Sequence, residues 1–115
     1  MSEFVDFLDE VFARFGRIQT RRMFGGHGLY HEGVMFGLVA DEVLYLKADI
    51  NNAQYFEALD LPPFQYSRGE RRISMSYFQA PEAIYDDLEL AALWARRSFD
   101  VAYRSRKRNK QNKQA

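Results

Sequence analysis

The chain has 115 residues, the size of one domain, and 47% of them are apolar, with ten Phe and seven Tyr. That excludes a wholly disordered chain, and the absence of cysteine excludes disulfide frameworks, thiolate zinc sites and cysteine nucleophiles. The formal net charge of zero hides a segregation: residues 1–95 hold 8 Lys/Arg against 15 Asp/Glu, net −7, and residues 96–115 hold 8 against one, net +7.

In chain order, the first predicted element is a helix over 3–15. Ser2 can cap it and acids occupy its first turn. Its apolar residues recur at three- and four-residue steps, and Gly16 suits the left-handed residue that closes a helix. Residues 18–48 read as a three-stranded meander with turns at Glu32-Gly33 and Ala40-Asp41-Glu42, its first strand long and broken near the glycines. A second helix is predicted over 51–60, capped by Asp49 or Asn51 and stopped by Pro62-Pro63. A hairpin comes next, turning near Arg68-Gly69-Glu70; Ile73, Met75 and Tyr77 alternate with polar residues. Pro81 opens a short helical turn, and a longer helix runs from about Asp87 to Arg104. The segment 104–115, "RSRKRNKQNKQA", has almost nothing to bury and is expected to fray.

This order, α-β-β-β-α-β-β-α, predicts an α+β fold. Two layers are expected, an antiparallel sheet of about five strands packed by helices, in a single domain over 1–103 with a basic tail over 104–115. No apolar run approaches the length of a membrane span, and the acidic start "MSEFVDFLDE" lacks a basic lead and a cleavage site. A soluble cytoplasmic protein without membrane contact is expected.

The stretch "RRMFGGHGLY" concentrates Gly25, Gly26 and Gly28 around His27. A phosphate cradle would need a helix to start after the glycines, and "LYHEGV" starts none. His27 and His31 are the only histidines. On a strand they would stand about 13 Å apart, too far for one ion. Neither metal nor cofactor is expected, and solvated or locally hydrogen-bonded histidines are. Strand glycines mark a bulge, a corner or a close backbone approach, so a kinked strand is the favoured reading.

This stretch and the two strands predicted after it resemble the TfoX N-terminal domain, found in the TfoX/Sxy regulators of bacterial competence. The family pattern R-x-M-F-G-G-x-G-[LI]-[YF], then a G-x-M-F-[AG] strand and a strand ending in Lys or Arg, falls here on Arg21, Met23, Phe24, Gly25, Gly26, Gly28, Gly33, Met35, Phe36 and Lys47. The likeness covers roughly 4–105, and these positions are expected to be mainly structural. It implies a two-layer α+β domain, a regulatory role and no catalytic residues. Full-length members carry a second, helical domain, and this chain resembles the stand-alone form.

No nucleophile, base or metal set stands out, and Asp86, Asp87 and Glu89 read as helix capping, so no enzyme is expected. Arg22, Arg71 and Arg72, with Arg104, Arg106, Lys107, Arg108 and Lys110 of the tail, are candidates for partner or nucleic-acid binding. If the strands of Arg21-Arg22 and Arg71-Arg72 are neighbours, their outward arginines form a patch. Phe4, Phe7, Phe12, Phe15, Phe24, Phe36, Phe56 and Trp94 are expected in the core; Phe64, Tyr66, Tyr77 and Phe78 either join it or form a sticky edge. The leading expectation is a non-enzymatic module acting in transcription control through protein contacts, with the transcription machinery or a regulator as partner and a homodimer compatible with it. The alternative is a nucleic-acid-binding accessory protein that uses the tail.

Overall fold

The structure, a computed structural model, describes the backbone of residues 3–23 and 25–114 and their side chains except at 73, 74 and 108–114. Helix α1, Glu3–Val11, buries Val5, Leu8 and Val11 on one face, and the turn after it adds Phe12 and Phe15. The helix ends earlier than its apolar spacing predicts, in a turn whose Gly16 N–H still reaches the Phe12 carbonyl.

Six strands come next: β1 (Gln19–Met23), β2 (Gly26–His31), β3 (Val34–Ala40), β4 (Val43–Lys47), β5 (Pro63–Arg68) and β6 (Arg71–Gln79). They form one antiparallel sheet in the order β1-β2-β3-β4-β6-β5. The α+β class and order hold, with one strand more than the expected five or so. The extra strand comes from the glycine cluster. Met23 pairs with Gly26 in antiparallel register, so the expected long, kinked strand is a hairpin of β1 and β2. Gly25 takes φ +76 there, a conformation that costs other residues about 1–2 kcal/mol.

The next two turns have two-residue loops, Glu32-Gly33 and Asp41-Glu42, with positive φ at both positions, as the twist of paired strands favours. A bulge in β3 explains its partial alternation: Leu29 faces Gly37 and Tyr30 faces Met35, leaving Phe36 as the extra residue. Val34 and Phe36 before the bulge, and Val39 after it, therefore all reach the same core.

Helix α2, Ala53–Glu57, is shorter than predicted. Asn52 precedes it, with its Oδ1 accepting from the Asp49 N–H at 2.8 Å. A 3-10 turn, Glu82–Asp86, leads into α3, Leu88–Gln114. Asp87 caps α3: its Oδ1 accepts the Leu90 N–H at 3.1 Å, as the acidic cluster suggested. The backbone of α3 runs ten residues beyond the expected end at Arg104, through the segment expected to fray. Lys, Arg and Gln are good helix formers, and the docked helix before them spares the cost of nucleation.

The core lies between the helices and one face of the sheet. Phe12, Phe36 and Phe56 are almost fully buried, with Leu8, Leu29, Leu44, Leu46, Ile84 and Trp94 around them. Phe4 is partly buried, whereas Phe7 is 38% exposed and stacks on Tyr85 instead of entering the core. Phe24 lies outside the described residues.

Candidate functional site

Helices cover one face of the sheet; the other is open. Strand alternation and register assign residues to it. Arg21 pairs with Gly28, Leu38 with Tyr45, and Lys47 with Tyr77, so these six lie on the open side. The sheet curls enough for its two ends to meet over this face. Met23 of β1, Met35 and Leu38 of β3, and Phe64, Tyr66 and Met75 of the last hairpin line a single cleft of about 230 Å³. Three of these six are methionines, whose flexible thioethers adapt to varied apolar partners.

Around the cleft the aromatic rings are already engaged. The Arg21 guanidinium lies 4.7 Å from the centroid of Tyr30, and Lys47 Nζ lies 5.0 Å from that of Tyr77. Phe64 packs against Tyr45 at 4.8 Å and stacks on Tyr66 at 6.2 Å. Lys47 also donates to Ser76 Oγ at 2.6 Å. Burial pushes its ammonium pKa down, with Asp49 acting in the opposite sense. Burial, and after it the neighbouring Tyr30, pushes the Tyr77 phenol up to about 12.

The glycines serve this face. A Cβ on Gly26 would sit 2.0 Å from the Val39 carbonyl oxygen, so the first hairpin can close against β3 only without a side chain there. A Cβ on Gly28 would press on Tyr30 and on the Met23 sulfur. Gly33 has φ +79, and its carbonyl accepts from Arg106 Nη1 at 3.2 Å, which ties the C-terminal half of α3 to the β2–β3 turn. Phe36 is core, while Met23 and Met35 line the cleft.

The condition for an arginine patch, neighbouring strands for Arg21-Arg22 and Arg71-Arg72, is not met. β1 and β6 are not neighbours; β2, β3 and β4 stand between them. Arg22 lines a separate polar hollow of about 310 Å³ with His27, Asp41 and Glu42. Arg71 and Arg72 flank the hairpin turn, where Arg68 pairs with Arg71. Arg104, Arg106 and Lys107 are on α3, with Arg104 and Lys107 exposed, and the side chains of Arg108 and Lys110 lie outside those described. Of the aromatics left open between core and edge, Tyr77 is buried and Phe78 stacks on Phe56, whereas Phe64 and Tyr66 line the cleft.

His31 is 9% exposed and wedged between Phe15 and Phe99, with Nδ1 at 2.7 Å from the Arg17 carbonyl oxygen and Nε2 at 3.1 Å from Glu32. Both histidines lie on β2, and among the described residues no group of three His, Asp or Glu is placed to hold a metal ion. No helix among the described residues is long and apolar enough to cross a membrane.

Sequence reasoning missed the cleft. Its lining comes from five strands, with Gly26 and His27 of β2 completing it, and only the curl of the sheet brings Met23 to Met75. The available signal was the methionine content of the strands at positions 23, 35 and 75.

Residues 10–102 match the model of the TfoX N-terminal domain, most of the chain. The chain belongs to this family. Two curated proteins are similar to this TfoX N-terminal domain. Protein Sxy of Escherichia coli K12 is 30% identical over 100 residues, covering 84% of this chain and 46% of Sxy. DNA transformation protein TfoX1 of Aliivibrio fischeri ES114 is 35% identical over 79 residues, covering 65% of this chain and 38% of TfoX1. The chain thus spans less than half the length of either relative, and neither relative is named as an enzyme.

Proposed function

We propose that this TfoX N-terminal domain is a non-enzymatic regulatory module that acts in transcription control through protein contacts, made by the open face of its sheet. The observation that carries this reading is the exposed, methionine-lined cleft formed by Met23, Met35, Leu38, Phe64, Tyr66 and Met75. Sheets in two-layer domains commonly leave one face to solvent, and such a face is usually polar. An apolar concavity there marks a binding surface. The name of one relative, a DNA transformation protein, supports DNA transformation as the regulated process.

The test is genetic. The gene is deleted in its own host, transcripts are compared with the parent, and the strain is complemented with the wild-type chain or with Met75→Glu. The wild type is expected to restore the transcript profile. Met75→Glu, shown to be folded by circular dichroism, is expected not to. Full restoration by a folded Met75→Glu overturns the reading.

A further inference from the structure

The negative charge of the body is not spread over the fold. All 16 Asp and Glu residues lie in helices, turns and loops, and the six strands contain none. The strands hold six cations: Arg21, Arg22, Lys47, Arg68, Arg71 and Arg72. The sheet layer is therefore basic inside a body of net −7.

Alternation divides these cations between the faces. Arg21 and Lys47 are on the open side with Gly28 and Tyr77. In the last hairpin Tyr66 pairs with Ile73 and Arg68 with Arg71, so Arg68 and Arg71 share the side of Tyr66 and Met75. Arg22 and Arg72 fall on the other side. An apolar cleft is thus accompanied on its own face by four cations, Arg21 on the edge strand β1, Lys47 on the inner strand β4, and Arg68 and Arg71 in the last hairpin, with no strand carboxylate among them. Acids beside this face belong to the turns: Asp41 acts on Tyr45, Asp49 on Lys47, and Glu70 sits at the hairpin tip.

We infer that this face docks an acidic peptide segment of a protein partner, whose apolar side chain fills the methionine-lined cleft while flanking carboxylates meet Arg21, Lys47, Arg68 and Arg71. The inference rests on the reading that the open face makes the protein contacts, and names the chemistry of what it contacts. A single-stranded nucleic acid would also match the charge, but it binds by stacking bases on free aromatic faces. Here the faces of Tyr30 and Tyr77 carry Arg21 and Lys47, and Phe64 packs between Tyr45 and Tyr66, so of these rings Tyr66 is the exposed one. What the face leaves open is an apolar hollow, which suits a side-chain anchor. Cationic groups around it add steering and select against basic partners.

The experiment pans random peptides displayed on phage against the full chain, then titrates the best peptide by fluorescence anisotropy. Selected peptides are expected to carry Asp or Glu on both sides of a Leu, Phe, Met or Trp. Binding is expected to weaken about tenfold or more in Arg21→Glu/Lys47→Glu, in Arg68→Glu/Arg71→Glu and in Met75→Glu, and to weaken with salt. The hairpin pair keeps the test valid if reversal at Lys47 unfolds the sheet, because both its arginines are exposed. Peptides without an acidic excess, no selected family, or full binding by folded charge-reversed variants each overturn the inference. So does labelled oligo-dT that binds more tightly than the best peptide and is lost with the same substitutions. The two readings fail differently: if Met75→Glu abolishes regulation in the host while the charge reversals leave it intact, the docking face stands and the acidic partner falls.

Discussion

Two adjacent glycines are required for different reasons, and substitution separates them. A Cβ on Gly25 meets nothing within 4 Å, but its φ of +76 strains any other residue. Gly25→Asn, tolerant of that conformation, is therefore expected to cost less than Gly25→Ala, which should lose about 1–2 kcal/mol. Gly26→Ala is a steric fault, with Cβ driven into the Val39 carbonyl oxygen. It should cost about 1–3 kcal/mol, and Asn should do no better. Urea unfolding of the four variants decides this. Tyr77 offers a test in pH. Its pKa rises from 10.0 to about 12 on folding, so the unfolded chain ionises first as pH climbs. Between those values the unfolded state binds fewer protons, and folding stability falls with pH by up to about 1.4 kcal/mol per unit from this group. Tyr77→Phe removes that contribution. The stability gap between wild type and Tyr77→Phe, measured by denaturation at a series of pH values, should stay constant below about pH 10 and shift in favour of the variant above it.

At the scale of elements, the turns decide which strands pair. Glu32 has φ +49 in the β2–β3 turn, a position that suits Asn before a Gly. Its carboxylate stands 3.1 Å from His31 Nε2 on a side chain that is 77% exposed, and such exposed pairs contribute little. Backbone strain should therefore outweigh the lost pair, and Glu32→Asn is expected to raise stability by about 0.5–1 kcal/mol in thermal unfolding. The same turn is held from outside by Arg106. Arg106→Ala should cost no more than about 1 kcal/mol globally, yet speed amide exchange in the β2–β3 turn relative to the β3–β4 turn. Part of this level was legible in the sequence: the turns at Glu32-Gly33 and Gly69-Glu70 and the Asp87 cap are local chemistry, whereas α2 ends at Glu57, before the predicted stop at the prolines. The reversal after Met23 was not, because a glycine pair inside an apolar run suits a kink and a tight turn equally, and only the partner strand selects one. The bulge at Phe36 was hidden likewise, since it exists only against Leu29 and Gly37. His31 gave no sign of burial because the rings that enclose it, Phe15 and Phe99, are distant in sequence.

For the whole molecule, connectivity is mostly local. Each of the first four strands pairs with its neighbour in sequence, and the one exception among the described strands is β6, which inserts between β4 and β5. The face that α3 covers includes Phe36 and Leu46, yet α3 begins only at Leu88. During synthesis the four-stranded meander can therefore pair, with α1 and the turn after it against part of its inner face, within tens of residues of leaving the ribosome, while the part that α3 covers stays open until most of the chain has emerged. Low sequence separation favours fast pairing, and late coverage leaves a sticky intermediate. The last helix is thus the closing piece of the core: Ala91, Trp94 and Ala95 reach the sheet only after every strand has been made, so the apolar face they seal is complete last.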